Sequence, residues 1–136
     1  MFKAGPRSAL MMSIARIRHE RTRLEEQCGE LGVVAGRYLE AGYHVRLFHP
    51  TKYGEVHVLA YKGDTRLVVE VVKEASTIGP EVVERVARKA ELLRARPILV
   101  LYGNGPRLSE EARSRARETG VKVRRIRARR PPVAVP

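Results

Sequence analysis

One acidic residue occupies a position where a charge needs a chemical reason. Glu70 interrupts the apolar run Leu67–Val72, which reads LVVEVV. The run is apolar on both faces apart from this residue, as expected of a strand in the centre of a sheet. An unpaired charge in such a strand is costly, so Glu70 needs a partner or a function. Glu70 is therefore the first candidate for a functional group.

The second chemical signal is the excess of basic residues at the two ends of the chain. The formal net charge is +12. Residues 1–23 hold six basic groups and one acidic group, residues 24–106 hold eleven of each, and residues 107–136 hold ten basic and three acidic. Such a field attracts polyanions, either nucleic acid or an acidic membrane surface. Because no segment pairs a basic face with a broad apolar face, we expect nucleic acid as the partner and no membrane.

The overall composition excludes other classes of protein. With 43% apolar residues in 136, the chain can bury one aliphatic core, and its apolar runs are too short to span a membrane. The single cysteine excludes an intramolecular disulfide and a zinc knuckle or ribbon. A chain with many Arg and only one Gln and one Asn has a composition compatible with a thermophile. We expect a cytoplasmic, nucleoid-associated protein.

Hydrophobic periodicity predicts an α/β fold, a mixed sheet with helices on both faces in the order α-β-β-β-α-β-α-β. The predicted helices run from Ser13 to about Ala41 with a break near Cys28, from Pro80 to about Ala95, and from Ser109 to Gly120. The predicted strands are 43–49, 55–61, 65–72, 97–102 and 121–127, the third central and the last at an edge. The mixed charges of the second helix predict a solvated face, formed by Glu81, Glu84, Arg85, Arg88, Lys89 and Glu91.

These elements form one predicted domain with an extension at each end. We expect residues 13–127 to form a single nucleic-acid-binding domain. Residues 1–12 are expected to be disordered or a non-native start, and residues 128–136 a basic disordered tail. The first helix is also a possible contact for a homodimer.

A family pattern is present in two segments, GELGVVAGRYLEAGY and YGEVHVLAYKGDTRLVVEVVKE. Over residues 29–127 the chain resembles the PD-(D/E)XK nucleases of restriction-endonuclease-like fold, in particular YraN-like proteins and archaeal Holliday-junction resolvases. In these families a helix Glu precedes a Gly-Glu-x-Asp strand, and Glu-x-Lys follows thirteen residues after that Asp. Glu30, Gly54-Glu55 and Glu70 match this pattern. The Asp position is His57 and the Lys position is Val72, with Lys73 one place late.

The resemblance implies a site in which Asp and Glu hold Mg²⁺ while the Lys orients water or stabilises charge at the phosphate. Mg²⁺ prefers oxygen ligands, so an imidazole at position 57 is a poor substitute. Strand alternation places Lys73 on the opposite face from Glu70, and a bulge would be needed to bring it back. We therefore expect no cofactor and no metal, and we interpret the matching groups as vestigial: Glu30, Glu55, Glu70 and Lys73.

The resemblance also places Arg, His, Phe and Tyr side chains on or near the former substrate face. This combination stacks on bases and contacts phosphates in proteins that bind single strands. The alternative is that Phe48 and Tyr61 pack under the first helix. The predicted nucleic-acid-binding residues are Arg46, Phe48, Lys52, His57, Tyr61, Arg66, Arg124 and Arg127.

The expected function is non-enzymatic binding of nucleic acid, with single-stranded DNA favoured and RNA open. The chain is more loosely similar to the ThermoDBP-related single-stranded DNA-binding proteins of archaea, which points the same way. One alternative is a Mg²⁺-dependent DNA nuclease, similar to a Holliday-junction resolvase, with Lys73 as a migrated catalytic Lys. Another is a protein-interaction subunit of a larger nuclease or DNA repair complex that docks through the first helix.

Overall fold

The computed structural model describes residues 29–127. The predictions for the first half of the first helix, the break near Cys28, the N-terminal start and the basic tail lie outside these residues. In the described part the elements are α1 (Glu30–Glu40), β1 (His44–His49), β2 (Val56–Lys62), β3 (Thr65–Val72), β4 (Thr77–Ile78), α2 (Pro80–Leu93), β5 (Arg96–Tyr102), β6 (Arg107–Leu108), α3 (Glu110–Thr119) and β7 (Lys122–Ile126).

The main sheet has five strands in the order β1-β2-β3-β5-β7. Strands β1, β2 and β3 form an antiparallel meander, and β3, β5 and β7 are parallel. The mixed α/β fold is therefore confirmed. Strand β3, which carries Glu70, is central, and the basic strand β7 lies at an edge. Both positions agree with the sequence prediction.

The sheet is covered by α1 on one face and by α2 and α3 on the other. Alternate residues of β3 enter different clusters: Val69 packs with Val34 of α1, whereas Val68 packs with Val83 of α2. Both clusters are almost wholly aliphatic, as the scarcity of aromatics predicts. Within residues 29–127, no helix has the length and apolar composition that a membrane span requires.

Local sequence signals explain where the elements end. The β2–β3 hairpin turns at Gly63 and Asp64, and Gly63 has φ +59°, which glycine adopts without steric cost. The Ala112 N–H donates to Ser109 Oγ at 3.0 Å, which caps the start of α3. Gly120 ends that helix in the left-handed conformation. These short-range rules account for the agreement between predicted and observed boundaries.

Two short strands were not predicted. Strands β4 and β6 pair in parallel as a separate two-stranded sheet beside the main one. Each contains two residues, which is too short for any periodicity to be recognised. They tie the segment after β3 to the segment after β5.

Candidate nucleic-acid interface

Glu70 lies at the position where the family pattern places a metal ligand, and its charge is neutralised by a lysine from α2. Glu70 and Lys89 are 8% and 4% exposed. Lys89 Nζ donates to Glu70 Oε1 at 3.1 Å and to the backbone carbonyl of Glu55 at 2.7 Å. The ammonium group thus joins the central strand, the start of β2 and helix α2. The contact with Lys89 explains how an isolated carboxylate is accommodated in a buried strand.

His57 occupies the other side of the same carboxylate. Its backbone N–H donates to Glu70 Oε2 at 2.9 Å, and its imidazole Nδ1 accepts from the Val71 N–H at 3.0 Å. At this point side chains bridge β2 and β3. Because Nδ1 is an acceptor, the neutral ring carries its proton on Nε2. The histidine therefore acts as a hydrogen-bonding link between the strands.

These contacts do not fit a metal centre. Both Glu70 oxygens and the Nδ1 atom of His57 already have hydrogen-bond partners, and the Lys89 ammonium lies on the carboxylate that would bind the cation. Among residues 29–127 no group of three His, Cys, Asp or Glu side chains is placed to hold a metal ion. We therefore derive no metal-dependent chemical step for this site.

Lys89 was not recognised as a functional residue, and its assignment to a solvated face of α2 was wrong. The helical spacing contained a usable signal. Lys89 lies three residues after Val86 and four before Leu93, so it belongs to the stripe that faces the sheet. An isolated carboxylate in the central strand and a lysine on the facing stripe together predict a buried ion pair.

The other residues of the family pattern lie away from Glu70 or face solvent. Lys73 Nζ is 3.6 Å from Glu30 Oε1, in an ion pair whose side chains are 59% and 35% exposed. Lys73 therefore has a partner of its own at the end of β3. Glu55 is an exposed residue that meets Lys89 through its backbone carbonyl.

Beside the Glu70–Lys89 pair, the helices within residues 29–127 leave part of the sheet open. Helix α2 packs over β3 and β5 and does not extend across β1. Cross-strand pairing places His44 opposite Tyr61 and Tyr61 opposite Arg66. We call this surface the open sheet face; strand alternation and the strand register assign to it His44, Arg46, Phe48, His57, Tyr61 and Arg66.

Phe48 has the most unusual backbone on the open sheet face. Its φ is +55°, a left-handed conformation that is a genuine outlier for a bulky residue. Its side chain is 47% exposed, so core packing does not account for this conformation. Strain of this kind is concentrated at functional sites. Phe48 is therefore the residue of this face whose role is least explained by folding.

Tyr61 and Arg66 are partly committed to the fold. The Tyr61 ring stacks on His44 with centroids 5.0 Å apart and also packs against the α2-side core. Arg66 donates to the Leu93 carbonyl at the end of α2. Neither Phe48 nor Tyr61 lies under α1, because that helix packs on the other face of the sheet. The stacked pair and the tethered arginine are thus held in place by the fold, whereas Phe48 is 47% exposed.

The remaining predicted residues do not join this face. Lys52 lies in the β1–β2 turn, with its Nζ 5.3 Å from the centre of the Tyr53 ring. Arg124 and Arg127 lie in and just after β7, at the opposite edge of the sheet. Four strand spacings separate β1 from β7, roughly 19 Å. The predicted residues thus belong to two separate surfaces.

The architecture is that of restriction-endonuclease-like proteins. The chain is similar to a repair endonuclease from Pyrococcus abyssi, with TM-score 0.53 and 21% identity over 81% of this chain and 46% of that one. It is also similar to EndoMS in a complex with double-stranded DNA, with TM-score 0.54 and 20% identity over 84% and 46% of the two chains. A third match is Pyrococcus furiosus SfsA in complex with Ca²⁺, with TM-score 0.51 and 16% identity over 76% and 56%.

These matches establish the restriction-endonuclease-like fold. The resemblances to YraN-like proteins, Holliday-junction resolvases and ThermoDBP-related proteins stay predictions. The chain spans about half the length of the solved structures that it matches. No protein-family model and no curated protein matches the sequence.

Proposed function

We propose that this protein binds nucleic acid without cutting it, with single-stranded DNA as the favoured partner. The observation that carries the proposal is the Glu70–Lys89 pair. Where the family pattern requires a carboxylate free to hold a metal ion, the Glu70 oxygens are already engaged by an internal ammonium and a backbone N–H. Two matched solved structures are described as a repair endonuclease and a DNA complex, which supports DNA as the partner class.

The open sheet face is the proposed binding surface for a single strand. It combines an exposed phenylalanine, a stacked His–Tyr pair and exposed arginines at 46 and 66. Aromatic rings stack on unpaired bases, and guanidinium groups contact phosphates. Bases in a duplex are already stacked and cannot use these rings. The face therefore favours single strands, whereas charge alone favours the higher phosphate density of a duplex.

A nuclease remains the second candidate function, because Glu70 and Lys89 form a carboxylate–lysine pair close to the position that the family pattern uses. In this candidate Lys89, not Lys73, would be the migrated lysine. Both side chains are buried, so they would have to be uncovered before reaching a phosphate.

Cleavage assays distinguish the two candidates. With Mg²⁺ or Mn²⁺ and protein at concentrations that saturate binding, we expect no cleavage of single-stranded, duplex or branched DNA. Products would be followed on denaturing gels. Metal-dependent cleavage that disappears in Glu70→Gln and persists in the folded Lys73→Ala control would contradict the proposed function.

A further inference from the structure

A second groove lies on the α1 face of the sheet, opposite the open sheet face. It has a volume of about 710 Å³ and runs between α1 and β7. Its floor is apolar and includes Leu67, Ile98 and Val100. Ile98 lies beside Lys122 and Val100 beside Arg124 in the β5–β7 pairing, so two basic side chains follow one wall of the groove.

In the part of the chain that the structure describes, the charged residues that line this groove are all basic. Arg37 of α1, Arg96 of β5 and Lys122 and Arg124 of β7 are exposed. Arg125 is exposed too, but its guanidinium donates to the carbonyls of Gly103 and Pro106. No Asp or Glu among the described residues lines the groove. Within residues 29–127 none of these five cations has an ion-pair partner. Five positive charges without an acidic partner in the described part of the chain, set around an apolar floor, favour a polyanion that also carries apolar surface.

Two tyrosines close the α1 side of the groove. Tyr38 and Tyr43 pack edge to face with ring centroids 5.6 Å apart. Burial raises the pKa of the Tyr38 phenol, and the nearby Arg124 guanidinium opposes that rise. The phenol is therefore neutral at physiological pH and can donate a hydrogen bond. The groove thus offers cations, a donor and aromatic surface together.

The ends of the chain are poor candidates for filling this groove. Residues 1–28 carry six basic and three acidic groups, and residues 128–136 carry two basic and no acidic groups. Both segments would add positive charge to a groove that is already basic. A separate, negatively charged partner satisfies the electrostatics better.

We propose that the groove between α1 and β7 is a second nucleic-acid-binding surface, which takes its own segment of single strand. This second surface and the proposed function have only the class of partner, nucleic acid, in common. Because the two surfaces lie on opposite faces and toward opposite edges of the sheet, one molecule can hold two strands at once. Phosphates would lie on Lys122, Arg124 and Arg96, with bases over the apolar floor and Tyr38.

The test uses the full chain and short oligothymidylates at low ionic strength. Titration calorimetry gives the number of oligonucleotides bound, and energy transfer between two differently labelled oligonucleotides reports whether one protein holds both. The groove variant is Lys122→Gln/Arg124→Gln. The matched control, Arg85→Gln/Arg88→Gln, removes the same charge from exposed positions of α2. Arg46→Gln/Phe48→Gly reports on the open sheet face.

We expect two oligonucleotides per wild-type molecule, one for the groove variant and two for the control. Energy transfer should be lost in the groove variant and in the open-sheet-face variant, and it should persist in the control. If the groove variant keeps wild-type stoichiometry and affinity, the groove is not a binding surface. If it loses all binding while Arg46→Gln/Phe48→Gly binds normally, the groove is confirmed and the open sheet face is wrong. Binding of mononucleotides or anionic vesicles in place of oligonucleotides would overturn the proposed ligand class.

Discussion

Replacing Lys89 with Met is expected to lower the free energy of unfolding by about 3–5 kcal/mol, because removing one partner leaves a buried charge uncompensated. Lys89 Nζ is the ammonium group that neutralises Glu70, and it also satisfies the Glu55 carbonyl. The methionine fills a similar volume but carries no charge, so the loss reports on the ion pair rather than on a cavity. Urea denaturation followed by circular dichroism measures it.

Two variants serve as controls for the Lys89 prediction. Lys73→Met removes the exposed pair with Glu30 and should cost no more than about 1 kcal/mol. Adding Glu70→Gln to Lys89→Met should recover part of the loss, since the carboxylate charge is then gone while a side-chain carbonyl remains for the His57 N–H. Equal stability of Lys89→Met and Lys73→Met would show that the buried ion pair does not hold the site together.

Replacing Phe48 with Gly is expected to weaken single-strand binding without unfolding the protein. One lost base–aromatic stack costs about 1–3 kcal/mol, which is about 5- to 150-fold in the dissociation constant. Glycine tolerates the φ of +55°, so the substitution relieves backbone strain in the folded protein. This gain in stability offsets two losses, the added flexibility of the unfolded chain and the lost contacts of a half-exposed ring. Fluorescence anisotropy with labelled single-stranded and duplex DNA gives the two affinities.

Leu92→Ala is the matched control, because Leu92 is 44% exposed, lies on α2 and is not one of the residues of the open sheet face. It should leave both affinities unchanged. Duplex binding should also be unchanged in Phe48→Gly. If Phe48→Gly is folded and binds single strands as tightly as the wild type, the ring is not a stacking platform and the open sheet face is not the site.

The predictable part of the fold is the part governed by short-range rules. The run Leu67–Val72 is apolar on both faces, which identified the central strand, and Gly63-Asp64 and Ser109 identified a hairpin turn and a helix cap. The fold class followed from the order of these elements. The two-residue strands were missed because they lack a repeat.

The site was less predictable because it depends on contacts between distant segments. The pairing of Glu70 with Lys89 joins residues nineteen positions apart, and their helix was interpreted by its charges instead of its spacing. The groove combines Arg37, Arg96 and Arg124 from three elements with no shared sequence pattern. The left-handed backbone of Phe48 follows from no local rule, since glycine would be expected there.

The comparison that tests the central claim most directly is the affinity of the full chain for a single strand and for a duplex of the same sequence. Both are measured by anisotropy across a salt series, since affinities at one salt concentration do not separate charge from stacking. We predict tighter binding of the single strand, with an advantage that persists at high salt because stacking is not screened. Equal or tighter binding of the duplex throughout the series would contradict the proposed single-strand binding.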